Sequence, residues 1–201
     1  DRPRLGLLTM NLDKNLYGWS TLDAAGWASR CREHGVPFRV VFLDLDGVIN
    51  SEAWYHRRPW ERCWFDPVAT VMVSAMVVQA GAAVVISSSW RTGRDTEWLR
   101  GFLYGFGFDA PIIDQTPIIN KAGRERGHEI QQWLDQHQGI DSFAIIDDGS
   151  DMAHLLPQLV QTTWSHGFLK EHAASVLQVL GCTSLAAPEA NPKPDPPPPC
   201  A

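Results

Sequence analysis

Three short apolar runs, each breaking at once into acids or hydroxyls, constrain this chain more than any other feature. Phe38-Arg39-Val40-Val41-Phe42-Leu43 leads into Asp44, Val84-Val85-Ile86 into Ser87, and residues 142–146 into Asp147-Asp148. Each run is short and rich in β-branched or aromatic residues, the composition of a strand buried on both faces. Helical stretches separate them, predicted over 22–34, 67–80, 96–104, 127–137 and 172–180. In the fourth, Ile130, Trp133 and Leu134 fall at the i, i+3, i+4 spacing of one helix face. Residues 112–113 and 159–164 read as shorter strands, Gly105-Phe106-Gly107-Phe108 as a turn, and 51–65 as an irregular aromatic and basic segment. Strands alternating with helices imply an α/β fold with a parallel sheet covered on both faces. Ligands of such sheets sit beyond the carboxyl ends of the strands, where the strand order reverses. The acids and hydroxyls fall at those ends.

A chain of 201 residues has room for one good core. The expected organisation is a lead-in over 1–35, an α/β domain over 36–185 and a proline-rich tail over 186–201, with prolines 196–199 consecutive. Residues 68–86 carry no charge, and that length reaches across a bilayer. Asp66-Pro67 is the signature of a helix start and Gln79-Ala80-Gly81 of a helix end, so a buried helix and a central strand are expected there, with no membrane partner. The net charge of −6 supplies no basic footprint for duplex nucleic acid. Cys31, Cys63, Cys182 and Cys200 form no metal-ligand or disulfide pattern, and no charged-then-apolar leader opens the sequence. Reduced thiols and a cytoplasmic location are the expectation.

Four elements carry the chemistry. In Leu43-Asp44-Leu45-Asp46-Gly47-Val48 the two acids stand two apart, the spacing that puts both on one side of an extended chain. Two such carboxylates repel unless a proton or cation lies between them, and Mg²⁺, hard and oxygen-seeking, suits the pair. Ile86-Ser87-Ser88-Ser89-Trp90-Arg91 offers hydroxyls and backbone N–H groups to a phosphoryl oxygen, or a helix cap. Lys121-Ala122-Gly123-Arg124-Glu125-Arg126-Gly127 brings three candidate cations to a helix start. Ile145-Ile146-Asp147-Asp148-Gly149-Ser150-Asp151 places two more acids at a strand end. Each alone reads equally well as a turn or a solvated face; four in this order do not.

Together, Asp44-x-Asp46-Gly-Val, the Ser87-Ser88 turn, a basic residue at a helix start and Asp147-Asp148 resemble the four ordered motifs of haloacid dehalogenase-like (HAD) phosphatases. Ser87-Ser88-Ser89-Trp90-Arg91, Arg126-Gly127-x-Glu129-Ile130 with Trp133-Leu134, and Asp147-Asp148-x-x-Asp151-Met152 resemble, more narrowly, the HAD domain in Swiss Army Knife RNA repair proteins. The resemblance spans about residues 38–180. It implies a Rossmann-like three-layer α/β/α sandwich, with Asp44 as nucleophile and Asp46 as general acid/base through an aspartyl-phosphate. It also implies Mg²⁺ held by Asp44, the Asp46 carbonyl and Asp148, with Asp147 in support. The phosphoryl group falls to Ser87 or Ser88 and to one cation, Arg126 at the helix start rather than Lys121 or Arg124.

Residues 50–65 and 91–120 are too short to insert a large cap domain, so a minimal cap or none is expected over the site. An open site suits a bulky phosphorylated substrate such as a nucleic-acid end. Trp54-Tyr55-His56-Arg57-Arg58-Pro59-Trp60 offers cations and stacking surfaces to one, or packs as a structural flap. Three readings remain open: a phosphatase of nucleic-acid ends or nucleotides, a small-molecule phosphomonoesterase, and a catalytically idle binding module using the tail.

Overall fold

The central strand, β1 (Arg39–Leu43), is buried from Val40 to Leu43 in a computed structural model that describes residues 21–182 except 59, 61–62 and 120–124. Lys121, Arg124 and the expected tail lie outside the described residues, as does the lead-in before residue 21. The remaining elements are α1 (Ala24–His34), α2 (Glu52–Arg57), α3 (Pro67–Gln79), β2 (Ala82–Ile86), α4 (Thr96–Tyr104), β3 (Ile112–Gln115), α5 (Arg126–Gln136), β4 (Ser142–Asp147), β5 (Leu159–Gln161) and α6 (Lys170–Val179). Single 3₁₀ turns form at Ser89–Arg91 and Ala153–Gln158.

All five strands are parallel, in the order β3-β2-β1-β4-β5. The chain builds outward from β1 to β3, then crosses back to lay β4 on the other side of β1. The strand order therefore reverses between β1 and β4; Asp44 follows the last residue of β1, and β4 ends in Asp147. Their register sets Leu43 against Ile146, so both acids leave the sheet at the same level.

Alternation along the strands sorts the core into two layers. Val41, Leu43, Val84, Ile86, Ala144 and Ile146 face a cluster with α3, α4 and α6. Val40, Phe42, Ala83, Val85 and Ile145 face one that holds Trp27 and Cys31 of α1 and Ile130 and Trp133 of α5. The expected three-layer α/β/α sandwich is the observed one. Helix α1, expected within the lead-in, packs on the second face and contributes to that core.

Helix α3 begins at the expected cap: the Asp66 side chain accepts from Val68 N and Pro67 opens the first turn. Among the described residues no helix is long and apolar enough to cross a membrane, and the uncharged run of 68–86 is α3 followed by β2. Cys31, Cys63 and Cys182 are free thiols. Burial pushes the Cys31 thiol up to about 11, which leaves it protonated and unreactive. The segment read as irregular contains α2, whose cap is Ser51 Oγ accepting from Trp54 N at 3.2 Å. Among the described residues no separate cap domain interrupts the fold: α2 follows β1, and the chain after β2 returns through α4 to β3 in the sheet.

Candidate active site

Asp44 leaves β1 with its backbone N–H bonded to Ile146 O at 2.9 Å, while Ser87 N–H bonds Leu43 O at the same distance. The ends of β1, β2 and β4 are thus laced together before any side chain acts. Oxygens of Asp44, Asp147 and Asp148 lie within 4.8 Å of one another. Asp44 Oδ1 accepts from Leu45 N at 2.8 Å, and Asp147 Oδ1 from Gly149 N at 2.8 Å. Asp147 Oδ2 is buried without a hydrogen bond.

Three acids this close, two of them buried, oppose one another's ionisation. Burial and then the Asp44 charge push Asp147 up to about 7, against the opposing pull of Arg126. Burial and Asp44 raise Asp148 as well. An all-oxygen donor set of three converging carboxylates fits a hard divalent cation, which would offset that repulsion.

Gly47 makes the cluster compact. Its φ of +73° lies in the left-handed region, and a Cβ at this position would overlap the Asp148 carboxylate. Its N–H donates to Asn50 Oδ1 at 3.1 Å, and its carbonyl accepts from Thr162 Oγ1 at 2.7 Å.

Asp46 stands on the turn that follows β1 rather than on the strand itself. Strand β1 ends at Leu43, and the next residues turn so that Val48, Ile49 and Asn50 all donate to Leu45 O. The Asp46 carboxylate lies outside the three-acid cluster. It accepts from Asn50 Nδ2 at 2.7 Å on Oδ1 and from Trp90 Nε1 at 3.0 Å on both oxygens.

Arg126 opens α5 and faces the acids, with Nη1 at 3.5 Å from Asp44 Oδ1 and Nε at 3.3 Å from Asp147 Oδ2. Nη1 also donates to Ser87 O. Burial disfavours its charge, but Asp44, Asp147, Asp151 and Glu129 outweigh this and raise its pKa. Of the two candidate serines, Ser88 Oγ caps the 3₁₀ turn by accepting from Trp90 N, whereas Ser87 Oγ is buried with no hydrogen-bond partner.

Residues with no role assigned from sequence build the frame. Glu125, the N-cap of α5, makes no side-chain cap bond. Asp151 replaces it: Oδ2 accepts from Arg126 N at 2.9 Å and its carbonyl from Gly127 N at 3.0 Å. Gly127 sits so close that a Cβ would overlap the Met152 carbonyl. Buried Arg91 donates to the carbonyls of Ser87, Ser88, Thr116 and Pro117 and pairs with Glu129, whose Oε1 accepts from Ile119 N at 3.0 Å. Asn50 and Thr162 belong to no quoted motif, and nothing local in the sequence marks them.

The segment offered as a binding surface is largely engaged in packing. Trp54 Nε1 donates to Cys63 O at 2.8 Å, Tyr55 packs on Trp164, Arg57 pairs with Asp66 at 3.3 Å, and Arg58 lies over Tyr55. Exposed aromatic surface also lies at Trp64, whose ring packs edge-on against Trp90 at 6.1 Å, and at Trp98, with the Arg94 guanidinium 4.6 Å above its ring.

The family model described as HAD domain in Swiss Army Knife RNA repair proteins matches residues 40–173, more than half of the chain. No curated protein matches.

Proposed function

Because the chain belongs to the family of HAD domains in Swiss Army Knife RNA repair proteins, we propose that it is a Mg²⁺-dependent phosphohydrolase working through an aspartyl-phosphate on Asp44. The observation that carries this reading is the convergence of Asp44, Asp147 and Asp148 at the ends of β1 and β4, with Arg126 across from them and Asp46 held beside them. Asp44, the Asp46 carbonyl and Asp148 would hold the metal, with Asp147 in support; when bound it neutralises charge on the phosphoryl oxygens and on the acids.

Asp44 attacks phosphorus, and the bond to the leaving oxygen breaks with its electron pair staying on that oxygen. Asp46 gives this oxygen its proton and releases an alcohol. As a carboxylate, Asp46 then takes a proton from water while the water oxygen attacks phosphorus. The bond from Asp44 breaks, freeing its carboxylate and inorganic phosphate. The Arg126 guanidinium and the Ser87 hydroxyl hold phosphoryl oxygens, a role that suits a cation facing the nucleophile and a buried hydroxyl with no other partner.

For substrate, we favour a phosphorylated nucleic-acid end or nucleotide over a small-molecule phosphomonoester. The exposed Trp64 and the Arg94 guanidinium, both against the Trp90 ring that bonds Asp46, and the exposed Trp98 beneath Arg94 supply stacking surface and charge for bases next to the phosphate. The test is phosphate release from phosphorylated oligonucleotides, nucleotides and sugar phosphates with Mg²⁺, repeated with Asp44→Asn. Release that needs the metal, is abolished in the variant and is fastest on oligonucleotides is the expected result. Release that survives Asp44→Asn refutes the mechanism, and a preference for sugar phosphates refutes the substrate class.

A further inference from the structure

We propose that Trp90 is a positioning residue for the acid/base, its indole N–H fixing the Asp46 carboxylate and directing Oδ2 to carry the transferred proton. The proposal rests on the reading of Asp46 as general acid/base. An indole nitrogen donates and never accepts, so it can hold a carboxylate without competing for its proton. Trp90 Nε1 stands 3.0 Å from both Asp46 oxygens, while Asn50 Nδ2 takes Oδ1 alone at 2.7 Å. Oδ1 therefore has a donor of its own. Oδ2 shares only the indole and is the oxygen whose lone pair is released when the N–H swings to Oδ1.

Both donors are rigid. Asn50 is fully buried and its own Oδ1 accepts from Gly47 N. The Trp90 ring is wedged among Phe65, Phe102 and Trp64 at centroid distances of 5.3, 5.8 and 6.1 Å. Its backbone N–H is capped by Ser88 Oγ, and its carbonyl accepts from Arg94 Nη1 at 2.8 Å. Asp46 lies just past the end of β1, where the sheet no longer constrains the chain, so side-chain donors must set its carboxylate plane. In the step this serves, the bond from phosphorus to the leaving oxygen breaks, the electron pair stays on that oxygen, and the proton on Asp46 Oδ2 moves to it, giving the alcohol. A carboxylate turned away makes that transfer fail even though the group is present.

Trp90→Phe keeps a ring in the cluster and removes the N–H. The readout is kcat/KM for glycerol phosphate, whose alkoxide needs a proton, relative to dinitrophenyl phosphate, whose phenolate leaves without one. That ratio should fall about ten-fold or more, since general acid catalysis acts only on the first ester. A merely structural role lowers both rates and leaves the ratio unchanged. Independently of turnover, the indole N–H proton resonance of Trp90 should move upfield in Asp46→Ala, where the acceptor is gone. An unchanged ratio, or an indole resonance indifferent to Asp46→Ala, overturns the proposal. If the wild type hydrolyses neither these esters nor a phosphorylated oligonucleotide, the acid/base reading of Asp46 fails and the positioning role with it, even where the resonance moves.

Discussion

The Arg91–Glu129 pair offers a sharp test of how the site is held. Both side chains are nearly sealed from water, at 3 and 4 % exposure, so the pair is a buried one. Breaking a buried pair by removing one partner costs about 3–5 kcal/mol. In Glu129→Gln the volume is kept, the amide oxygen still accepts from Ile119 N, and Arg91 keeps its four carbonyl acceptors. The low end applies, about 3 kcal/mol, which for a chain of this size lowers Tm by roughly 6–12 °C.

Arg91→Met is different in kind. It leaves the Glu129 carboxylate buried opposite a thioether and also strips the guanidinium from the carbonyls of Thr116 and Pro117, while Ser87 O keeps Arg126 Nη1 and Ser88 O keeps the backbone N–H of residue 91. At about 1 kcal/mol or more for each carbonyl left without its donor, added to the broken pair, the sum approaches about 5 kcal/mol, comparable with the entire stability of many domains. For the same reason an Arg91→Met/Glu129→Leu double substitution fails to restore stability, although apolar replacement of a buried pair is often neutral. Thermal and urea unfolding of the three variants decides it. A Glu129→Gln protein melting within a degree or two of wild type, or an Arg91→Met protein more stable than Glu129→Gln, refutes the reasoning.

Two further outcomes follow from the acid cluster. Asp147 is raised from the usual 3.8 to about 7, so the folded state holds a proton that the unfolded chain has lost. Its contribution to stability therefore declines as pH rises from about 4 to 7 and levels off above. Added Mg²⁺ should accordingly raise Tm more at pH 8 than at pH 5; an equal rise at both pH values, or a larger one at pH 5, counts against metal binding by these acids. In Gly47→Ala, a Cβ in left-handed backbone costs about 1–2 kcal/mol and also displaces the Asp148 carboxylate. The Mg²⁺-dependent rise in Tm should then vanish while the circular dichroism spectrum is kept, and an undiminished rise would show that Asp148 is not a ligand.

Elements were legible where their ends are marked locally. Strand β2 runs over the whole stretch between Gly81 and Ser87, and α4 begins at Thr96 because Asp95 caps it, accepting from Trp98 N. Where a boundary is set from far along the chain, sequence spacing misplaces it. Helix α5 starts at Arg126 rather than Gly127 because its cap, Asp151, comes from the β4 loop. Strand β5 stops at Gln161, short of the expected 164, because Thr162 turns to bond Gly47 O and Asp147 O. Helix α2 was hidden for another reason: none of its residues is buried, so it shows no apolar period to read.

The same distinction explains the site. Asp44, Asp147, Asp148 and Ser87 were visible because each ends an apolar strand, and a parallel sheet brings such ends to one edge whatever the loops do. The register of β1 with β4 then decides that Asp44 meets Asp147 and Asp148, a pairing that no spacing within one strand contains. Period-two reasoning sets the direction of a side chain only while the chain stays extended, and β1 ends one residue before Asp44. Beyond that point a side chain goes where its donors hold it, and for Asp46 these are Asn50, four residues on, and Trp90, forty-four residues on. The strand ends thus bring Asp44, Asp147 and Asp148 together through the sheet itself, while Asp46, the proposed acid/base, is held by an indole supplied by a neighbouring turn. A substitution in that turn can disable proton transfer without touching the acids, which makes Trp90 the position where leaving-group dependence should change first.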